Sequence, residues 1–493
     1  MSEAVQEKAA AARDDVAVPA AKSGRFSWSA GGRSIEYVAT AGHVDVVDAK
    51  QELECRMFNV SYVAESIDGR AVDPRTRPVT FCYNGGPGSS SVPINFGGIG
   101  PRRVAHEGLE FMGAGFEVED NPGTLLLQSD LVFLDAPGTG WSIVPESYDA
   151  KQVYSVDGDA QAFCRAIRRW LNENNRWSSP VYIYGESYGT VRNAVLMRML
   201  GEAGVPLAGV VMLSALFDWQ QCLPGADLYY EGMLPCYAAT AQYFGLTGQG
   251  VDEDDWFDRA SEFAGGEYAQ ALLLGDHIAP EAKREVAQQI SDFIGLPVDY
   301  VLSRNLRVDL EEVRRDLLAG QGKVIGRLDM RFAGASMLPV QRSSMFLMEE
   351  DPASDALLGA WGAAFLDFMR NDLGYVGPFD YKMNAYDVVN ENWDMSHAEP
   401  GIDGGAVATP NVAVDIATAL RRSPTTKMLI MGGRYDAATT WWNMEHSISQ
   451  LYLSPELKRN ITFKRYACGH MAYTETSVLM QMSADAEEFY NGR

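Results

Sequence analysis

The chain has 493 residues, of which 46% are hydrophobic and 22% charged, a composition ordinary for a soluble globular protein. Its formal net charge of -25 at pH 7 disfavours nucleic-acid binding, because a sequence-independent grip on phosphates needs clustered Lys and Arg. No segment approaches the roughly 20 consecutive apolar residues that a membrane span requires.

The first 22 residues are acidic and rich in Ala, and they lack the apolar central region of a secretory signal. We expect a mobile N-terminal tail there. A cytoplasmic location is the expectation that follows, with export by another route left open.

Alternating apolar and polar residues between Gly24 and about Tyr83 predict antiparallel strands, for example Arg56–Val63. Apolar runs at Arg77–Tyr83, Asp130–Asp135 and 180–184 predict buried strands, with a helix at Asp157–Asn172 before the last of them. This alternation of strand, helix and strand is typical of a parallel sheet.

After one more buried strand at Leu207–Ser214 the pattern becomes helical over residues 218–375, as in Glu281–Ile290. Strand patterns return at Lys427–Met431 and Asn460–Tyr466. The sequence therefore predicts a sheet-containing core in two parts, residues 23–217 and 376–493, separated by a mainly helical cap insertion at 218–375.

The predicted strand at 180–184 ends in Gly185-Glu-Ser-Tyr-Gly189, and a helical pattern follows. A G-x-S-x-G sequence between a strand and a helix predicts a nucleophile elbow, whose sharp turn leaves no room for side chains beside the Ser. Ser187 is the candidate nucleophile. The motif alone is weakly specific, because a chain with 47 Gly residues can contain it by chance.

A serine nucleophile needs a base to take its proton and an acid to orient that base. The last two predicted strands end in Gly432-Gly-Arg-Tyr-Asp-Ala-Ala-Thr439 and Ala467-Cys-Gly-His-Met-Ala-Tyr473. They deliver Asp436 and His470 in the order Ser, Asp, His that α/β-hydrolases use. The five other His residues and the earlier acids Asp130 and Asp135 fit this order less well.

An acyl-transfer site also needs hydrogen-bond donors for the developing oxyanion. The backbone amide of Tyr188, directly after the Ser, is one candidate. The glycine-rich loop Asn84-Gly-Gly-Pro-Gly-Ser-Ser-Ser91 follows an early strand, and the amide of Gly86 is the other candidate.

Six scattered cysteines form no zinc-like spacing, and no metal or cofactor site is indicated. Buried free thiols are the favoured interpretation. A bridge between Cys222 and Cys236 is the alternative that the sequence leaves open.

Several motifs together resemble the serine carboxypeptidases of the α/β-hydrolase superfamily, especially their bacterial branch. They are Asn84-Gly-Gly-Pro-Gly88, Gly100-Pro101, Leu134-Asp-Ala-Pro-Gly-Thr-Gly-Trp-Ser142, Gly185-Glu-Ser-Tyr-Gly189, the Asp436 loop and Gly469-His-Met471. The resemblance implies an α/β-hydrolase fold, a mostly parallel central sheet flanked by helices with a mainly helical cap.

The resemblance also implies that Ser187, Asp436 and His470 form a catalytic triad, with the amides of Gly86 and Tyr188 as the oxyanion hole. The implied substrate is a peptide with a free C-terminal carboxylate, held by Asn84 and Glu186. An ionised Glu186 would repel that carboxylate, whereas a protonated one can donate a hydrogen bond to it. We therefore expect peptidase activity to fall as Glu186 ionises.

The chain departs from the family pattern at three places. Gly98 stands where many members carry a Glu that pairs with the Glu before the nucleophile, and Ser89 and Thr439 stand where members often have Cys. The second carboxyl group of the substrate clamp is thus absent. Trp219 and Tyr237 are candidates to shape the substrate pocket from the cap, with a role in the core as the alternative.

The sequence is thus interpreted as a cofactor-free serine carboxypeptidase. An esterase or acyltransferase with the same triad is the first alternative, favoured by the missing carboxyl group. A non-catalytic binding protein on a hydrolase scaffold is the second. The preferred C-terminal residue and the oligomeric state stay open, with a homodimer as one option.

Overall fold

The computed structural model describes residues 17–106, 108–109, 111–112, 115–336, 351–401 and 405–492. Most of the predicted N-terminal tail, residues 1–16, lies outside these ranges. In chain order the strands are β1 Lys22–Ala30, β2 Arg33–Val47, β3 Leu53–Ile67, β4 Arg70–Ala71, β5 Val79–Tyr83, β6 Arg102–Val104, β7 Val118–Asp120, β8 Asp130–Leu134, β9 Val181–Glu186, β10 Leu207–Leu213, β11 Lys323–Ile325, β12 Ala333–Ala335, β13 Lys427–Gly433 and β14 Ile461–Tyr466.

The α-helices lie between and after these strands. They are α1 Val156–Glu173, α2 Tyr188–Glu202, α3 Asp227–Tyr243, α4 Glu253–Phe263, α5 Ala269–Leu274, α6 Pro280–Ile294, α7 Val298–Ser303, α8 Leu310–Asp316, α9 Pro352–Asp367, α10 Ala413–Arg422, α11 Trp441–Ser449, α12 Pro455–Lys458 and α13 Thr476–Tyr490.

The central sheet has the strand order β1-β2-β3-β8-β5-β9-β10-β13-β14, with the short β4 paired to β3. The pairs from β1 to β8 are antiparallel, and those from β8 through β5 to β14 are parallel. Every residue of β5, β8 and β9 is buried, as expected for a parallel sheet with helices on both faces. This topology is the α/β-hydrolase fold, and the prediction of that fold is confirmed.

The register aligns the carboxyl ends of the parallel strands. Gly185 on β9 pairs with Tyr83 on β5 and with Met212 on β10, and Leu213 pairs with Met431 on β13. The loops after β5, β9, β13 and β14 therefore leave the sheet at one edge. Ligand sites of open α/β sheets form at that edge.

Buried apolar side chains of the described residues form three clusters. The first joins the sheet to α1, α2, α10 and α11, and the second joins it to α9 and α13. The third lies within the predicted cap, between Tyr229 and Met330, and includes only one residue from elsewhere, Ala437. Helix α9, which also falls in the segment 218–375, belongs to the second cluster and not to the third. The division of the chain into core and insertion stays a prediction.

Candidate active site

Ser187 occupies a strained turn between β9 and α2. Its backbone has φ 58° and ψ -128°, in the left-handed region that residues with side chains rarely adopt. A Cβ on Gly185 would lie 2.2 Å from the carbonyl oxygen of Gly189, so the turn excludes a side chain there. The predicted elbow is thus present, with Ser187 at its tip.

Asp436 and His470 meet at the same edge, on the loops after β13 and β14. The Nδ1 atom of His470 is 2.8 Å from Oδ2 of Asp436, and both side chains are buried. Burial lowers the pKa of His470, but the charge of Asp436 and its hydrogen bond outweigh burial, so the pKa is raised. A carboxylate that binds Nδ1 orients the imidazole and leaves Nε2 available to accept a proton from a hydroxyl group.

Three donors fix the Asp436 carboxylate. The backbone amides of Ala438 and Thr439 donate to Oδ1 at 2.8 and 3.0 Å, and the Thr439 hydroxyl donates to Oδ2 at 2.8 Å. Thr439 stands where the serine carboxypeptidases that the sequence resembles often have Cys, and here its hydroxyl hydrogen-bonds to the Asp436 carboxylate. This contribution was not predicted from the sequence.

A short segment of the predicted cap joins the two loops. The amide of His470 donates to the Leu328 carbonyl at 2.6 Å, and the amide of Ala437 donates to the Arg327 carbonyl at 3.1 Å. The amide of Met330 also donates to the Tyr435 carbonyl at 3.0 Å. The segment Arg327–Met330 thus fixes the positions of the Asp436 and His470 loops relative to each other. No sequence motif marks this segment.

The glycine-rich loop after β5 packs directly on the elbow. A Cβ on Gly85 would lie 2.3 Å from the backbone nitrogen of Tyr188, so only Gly allows this approach. Gly86 lines the cavities beside Ser187, and Tyr188 is the first residue of α2. Both predicted oxyanion donors therefore belong to backbone next to the Ser187 side chain, at the positive end of a helix dipole.

Two cavities meet at Ser187. The larger, of about 260 Å³, has mostly apolar walls that include Trp219, Leu216 and Met233. The smaller, of about 90 Å³, contains Asn84, Glu186 and His470 in its wall. Ser187 and His470 both line the smaller cavity, so the candidate nucleophile and candidate base face one space on the side where Glu186 lies.

Glu186 is a buried acid with two neighbouring hydrogen-bond donors. Tyr473 Oη donates to its Oε2 at 2.9 Å, and the Asn84 side chain also hydrogen-bonds to it. Asn84 Oδ1 accepts the amide of Ile94 at 3.0 Å, which turns the Asn84 NH₂ group toward Glu186. Burial raises the pKa of Glu186 to about 7, against the opposing effects of His470, Tyr473 and Asn84. This carboxyl group is therefore protonated over most of the acidic range.

Tyr473 occupies the space beside Gly98, the position at which many of the serine carboxypeptidases that the sequence resembles carry a second Glu. A Cβ on Gly98 would lie 3.1 to 3.3 Å from three ring carbons of Tyr473. A phenol ring from a loop late in the chain thus lies beside the position where the second carboxyl group is missing. Tyr473 is part of the Gly469-His-Met471 neighbourhood in sequence, but nothing in that motif signals its contact with Glu186.

The competing acids have structural partners. Asp130 pairs with Arg77 and Arg176 at 2.8 and 2.7 Å, and Asp135 accepts hydrogen bonds from Ser91 and Tyr381. Of the two aromatic candidates from the cap, Trp219 lines the larger cavity, while Tyr237 is a buried member of the cap cluster.

All six cysteines are free thiols, five buried and Cys222 partly exposed in the larger cavity, so Cys222 and Cys236 are not bridged. Within the described ranges, no group of three His, Cys, Asp or Glu side chains is placed to hold a metal ion. In the same ranges, none of the helices has both the length and the apolar character that a membrane span needs.

The chain is similar in sequence to a known protein family. Residues 34–200, from β2 to α2, match the family described as "Serine carboxypeptidase". The match thus contains the glycine-rich loop and the elbow, and it ends before Asp436 and His470.

Individual relatives are eukaryotic proteins with limited overlap. "Serine carboxypeptidase S10 family member 1" of Dictyostelium discoideum is 26% identical over 196 residues, 37% of this chain and 44% of the relative. "Serine carboxypeptidase-like 50" of Arabidopsis thaliana is 31% identical over 169 residues, 32% of this chain and 35% of the relative. The chain thus matches less than half the length of these curated relatives.

Among solved structures, the Saccharomyces cerevisiae prohormone-processing carboxypeptidase Kex1ΔP matches with a TM-score of 0.48 and 14% identity. The match covers 92% of each chain.

Proposed function

We propose that this protein is a serine-type carboxypeptidase that releases C-terminal residues from peptides through an acyl-enzyme. One observation carries the proposal: a buried acid with a pKa of about 7, Glu186, lines the same small cavity as Ser187 and His470. An enzyme that cuts the last peptide bond must bind the substrate's C-terminal carboxylate, which lies only one substrate residue away from the bond that the nucleophile attacks. The similarity of residues 34–200 to serine carboxypeptidases supports the same function.

In the proposed mechanism, Ser187 Oγ attacks the carbonyl carbon of the last peptide bond while His470 Nε2 accepts the hydroxyl proton. Asp436, buried and hydrogen-bonded to Nδ1, stabilises the imidazolium that forms. The amides of Gly86 and Tyr188 bind the oxyanion. His470 then gives its proton to the departing amine as the C–N bond breaks. Water, deprotonated by His470, hydrolyses the ester and restores Ser187.

The substrate carboxylate is proposed to bind between Glu186 and Asn84. Protonated Glu186 donates to one carboxylate oxygen, and the amide of Asn84 offers a second donor. This charge-assisted pair orients the scissile bond toward Ser187. Ionised Glu186 would instead place two negative charges in a buried cavity, which costs binding free energy.

Replacement of the nucleophile tests the mechanism. We expect Ser187→Ala to lower kcat for release of C-terminal residues by roughly 10³-fold or more, as for other triads. Mass spectrometry of a digested peptide library measures which termini are trimmed, and circular dichroism checks the fold. Ser303→Ala, at the end of a cap helix, is the matched control and should retain activity. Full activity of pure Ser187→Ala protein would contradict the proposal.

The acid form of Glu186 gives the proposal a characteristic pH dependence. Because the competent form is protonated, kcat/KM for peptides should fall about tenfold per pH unit above about pH 7. The measurement is kcat/KM of a blocked dipeptide across the pH range. A profile that is flat from about pH 4 to about pH 8 would count against carboxylate recognition by Glu186.

An esterase or acyltransferase with the same triad is the second candidate. The observation that favours it is Gly98, which leaves Glu186 without a second carboxyl group as partner. Three matched substrates separate the candidates: a blocked peptide, its C-terminal amide and a simple ester. A carboxypeptidase should prefer the free acid to the amide, whereas an esterase should cleave the ester and neither peptide.

Finer placement of the protein is part of the same proposal. From its motifs we propose that the chain belongs to the bacterial branch of these enzymes and needs no cofactor. A cytoplasmic location stays a proposal. A fluorophosphonate probe distinguishes any such hydrolase from a non-catalytic binding protein, because only an activated Ser187 should be labelled.

A further inference from the structure

Tyr473 is buried against Glu186 although it follows His470 by only three residues. Its hydroxyl makes the 2.9 Å hydrogen bond to Oε2 of Glu186, and 1% of its surface is exposed. Burial keeps the pKa of the phenol well above its usual range. The hydroxyl therefore keeps its proton through the pH range in which Glu186 titrates, and it can donate a hydrogen bond to both forms of that carboxyl group.

The ring of Tyr473 is fixed by its neighbours. It packs with Trp361 of α9, with the two ring centroids 5.8 Å apart, and its edge lies over Gly98. Because a Cβ at Gly98 would come within 3.1 Å of the ring, the backbone there leaves room for the phenol and no more. The packing therefore allows little choice of where the hydroxyl points.

We propose that Tyr473 is a positioning residue for Glu186, whose hydroxyl orients the carboxyl group and sets the pH limit up to which peptide substrates are accepted. The inference rests on the proposed function, since it assigns Tyr473 a role in carboxylate recognition. Tyr473 does not contact the reacting atoms in this scheme. It acts through Glu186.

The direction of the effect follows from hydrogen-bond chemistry. A donor stabilises the ionised carboxylate more than the neutral acid, so Tyr473 lowers the pKa that burial alone would give Glu186. The other groups that face Glu186 are His470 and Asp436 from the late loops, Asn84 from the glycine-rich loop and Tyr184 on its own strand. The cation Arg327 lines the smaller cavity, as Glu186 does. Removal of the Tyr473 hydroxyl leaves these side chains in place, but it also removes the hydrogen bond between Tyr473 and Asn84.

The test is Tyr473→Phe, which keeps the ring and removes the donor. We expect the alkaline limb of kcat/KM for a blocked dipeptide to move up by about one pH unit. Hydrolysis of a simple ester, which has no carboxylate to bind, should keep its pH profile. Gly98→Ala is the second variant: it should displace the ring by a few tenths of an ångström and shift the limb in the same direction by less.

Tyr466→Phe is the matched control. Tyr466 is also buried and donates from its hydroxyl to a carboxylate, Asp485, at 2.7 Å, but it lies outside the cavities at Ser187. Its removal tests whether the loss of any buried phenol hydroxyl in this part of the chain moves the profile. An equal shift in Tyr466→Phe would overturn the inference.

A measurement without substrate separates this inference from the proposed function. Infrared difference spectra can follow the C=O stretch of the protonated Glu186 carboxyl with pH, assigned by its loss in Glu186→Gln. The midpoint should rise by about one unit in Tyr473→Phe. An unchanged midpoint would refute the role of Tyr473, whereas wild-type protein that cleaves no peptide at any pH would refute the carboxypeptidase and leave the midpoint to decide on Tyr473.

Discussion

His470 and His397 are both buried imidazoles that bind aspartate, but their second ring nitrogens have different surroundings. His470 binds Asp436 through Nδ1 and lines the smaller cavity beside Ser187. His397 binds Asp157 through Nδ1 at 2.7 Å and Asp415 through Nε2 at 2.8 Å. A general base needs one ring nitrogen that can reach the reacting groups. A histidine whose two nitrogens both bind carboxylates has a structural role instead.

The location of His397 explains what it holds. It lies in the segment between α9 and α10, and its carboxylate partners belong to α1 and α10. The same segment contacts the glycine-rich loop: the amide of Ala385 donates to the Gly88 carbonyl at 2.7 Å. His397 thus attaches the segment between α9 and α10 to helices α1 and α10. An earlier part of the same segment supports the glycine-rich loop at the candidate oxyanion hole.

The largest expected difference between the two histidines is in turnover. We expect His470→Ala to lower kcat for peptides by roughly 10³-fold or more, because the nucleophile loses its base. His397→Ala should keep kcat within about tenfold, since His397 lines neither cavity at Ser187. Steady-state kinetics on folded protein measures both. Similar losses in the two variants would remove the distinction.

The next effect concerns stability and should fall on His397. Replacing it by Ala removes the partner that Asp157 and Asp415 share, but Asp415 keeps its 2.7 Å ion pair with Arg198. The loss should therefore be about 2 to 3 kcal/mol of unfolding free energy. Urea denaturation measures the change. His277→Ala, on an exposed cap turn, should stay within about 0.5 kcal/mol of wild type. A loss below about 1 kcal/mol for His397→Ala would show that the clamp is not structural.

The smallest effect is a pH dependence of stability. Burial lowers the pKa of His397, but its hydrogen bonds to Asp157 and Asp415 outweigh burial and raise the pKa to about 9. The stabilisation is therefore complete below the unfolded-state pKa of about 6.5 and is lost as pH rises through about 9. It amounts to a few kcal/mol at most. The difference in unfolding free energy between wild type and His397→Ala should narrow above that pH, and a constant difference would contradict the assignment.

The sequence predicted most of the elements that carry the candidate site. The glycines of the elbow, the apolar runs of β5 and β9, and the order of Ser187, Asp436 and His470 are all local patterns or follow from chain order. Strand ends shifted by one or two residues, as for β8, which ends at Leu134 rather than Asp135. Such local signals survive because backbone geometry at a tight turn depends on the residues of the turn itself.

Contacts between distant segments were decided by tertiary structure alone. Gly98 in the sequence indicates a lost carboxyl group, and only the fold shows the Tyr473 ring above it and the Tyr473 hydroxyl on Glu186. His397 has no motif, yet the fold gives it two carboxylates from separate helices. Such pairings depend on how helices and loops pack across the sheet. The sequence therefore determined which groups lie at the carboxyl ends of the strands, and packing determined which of them hydrogen-bond to one another.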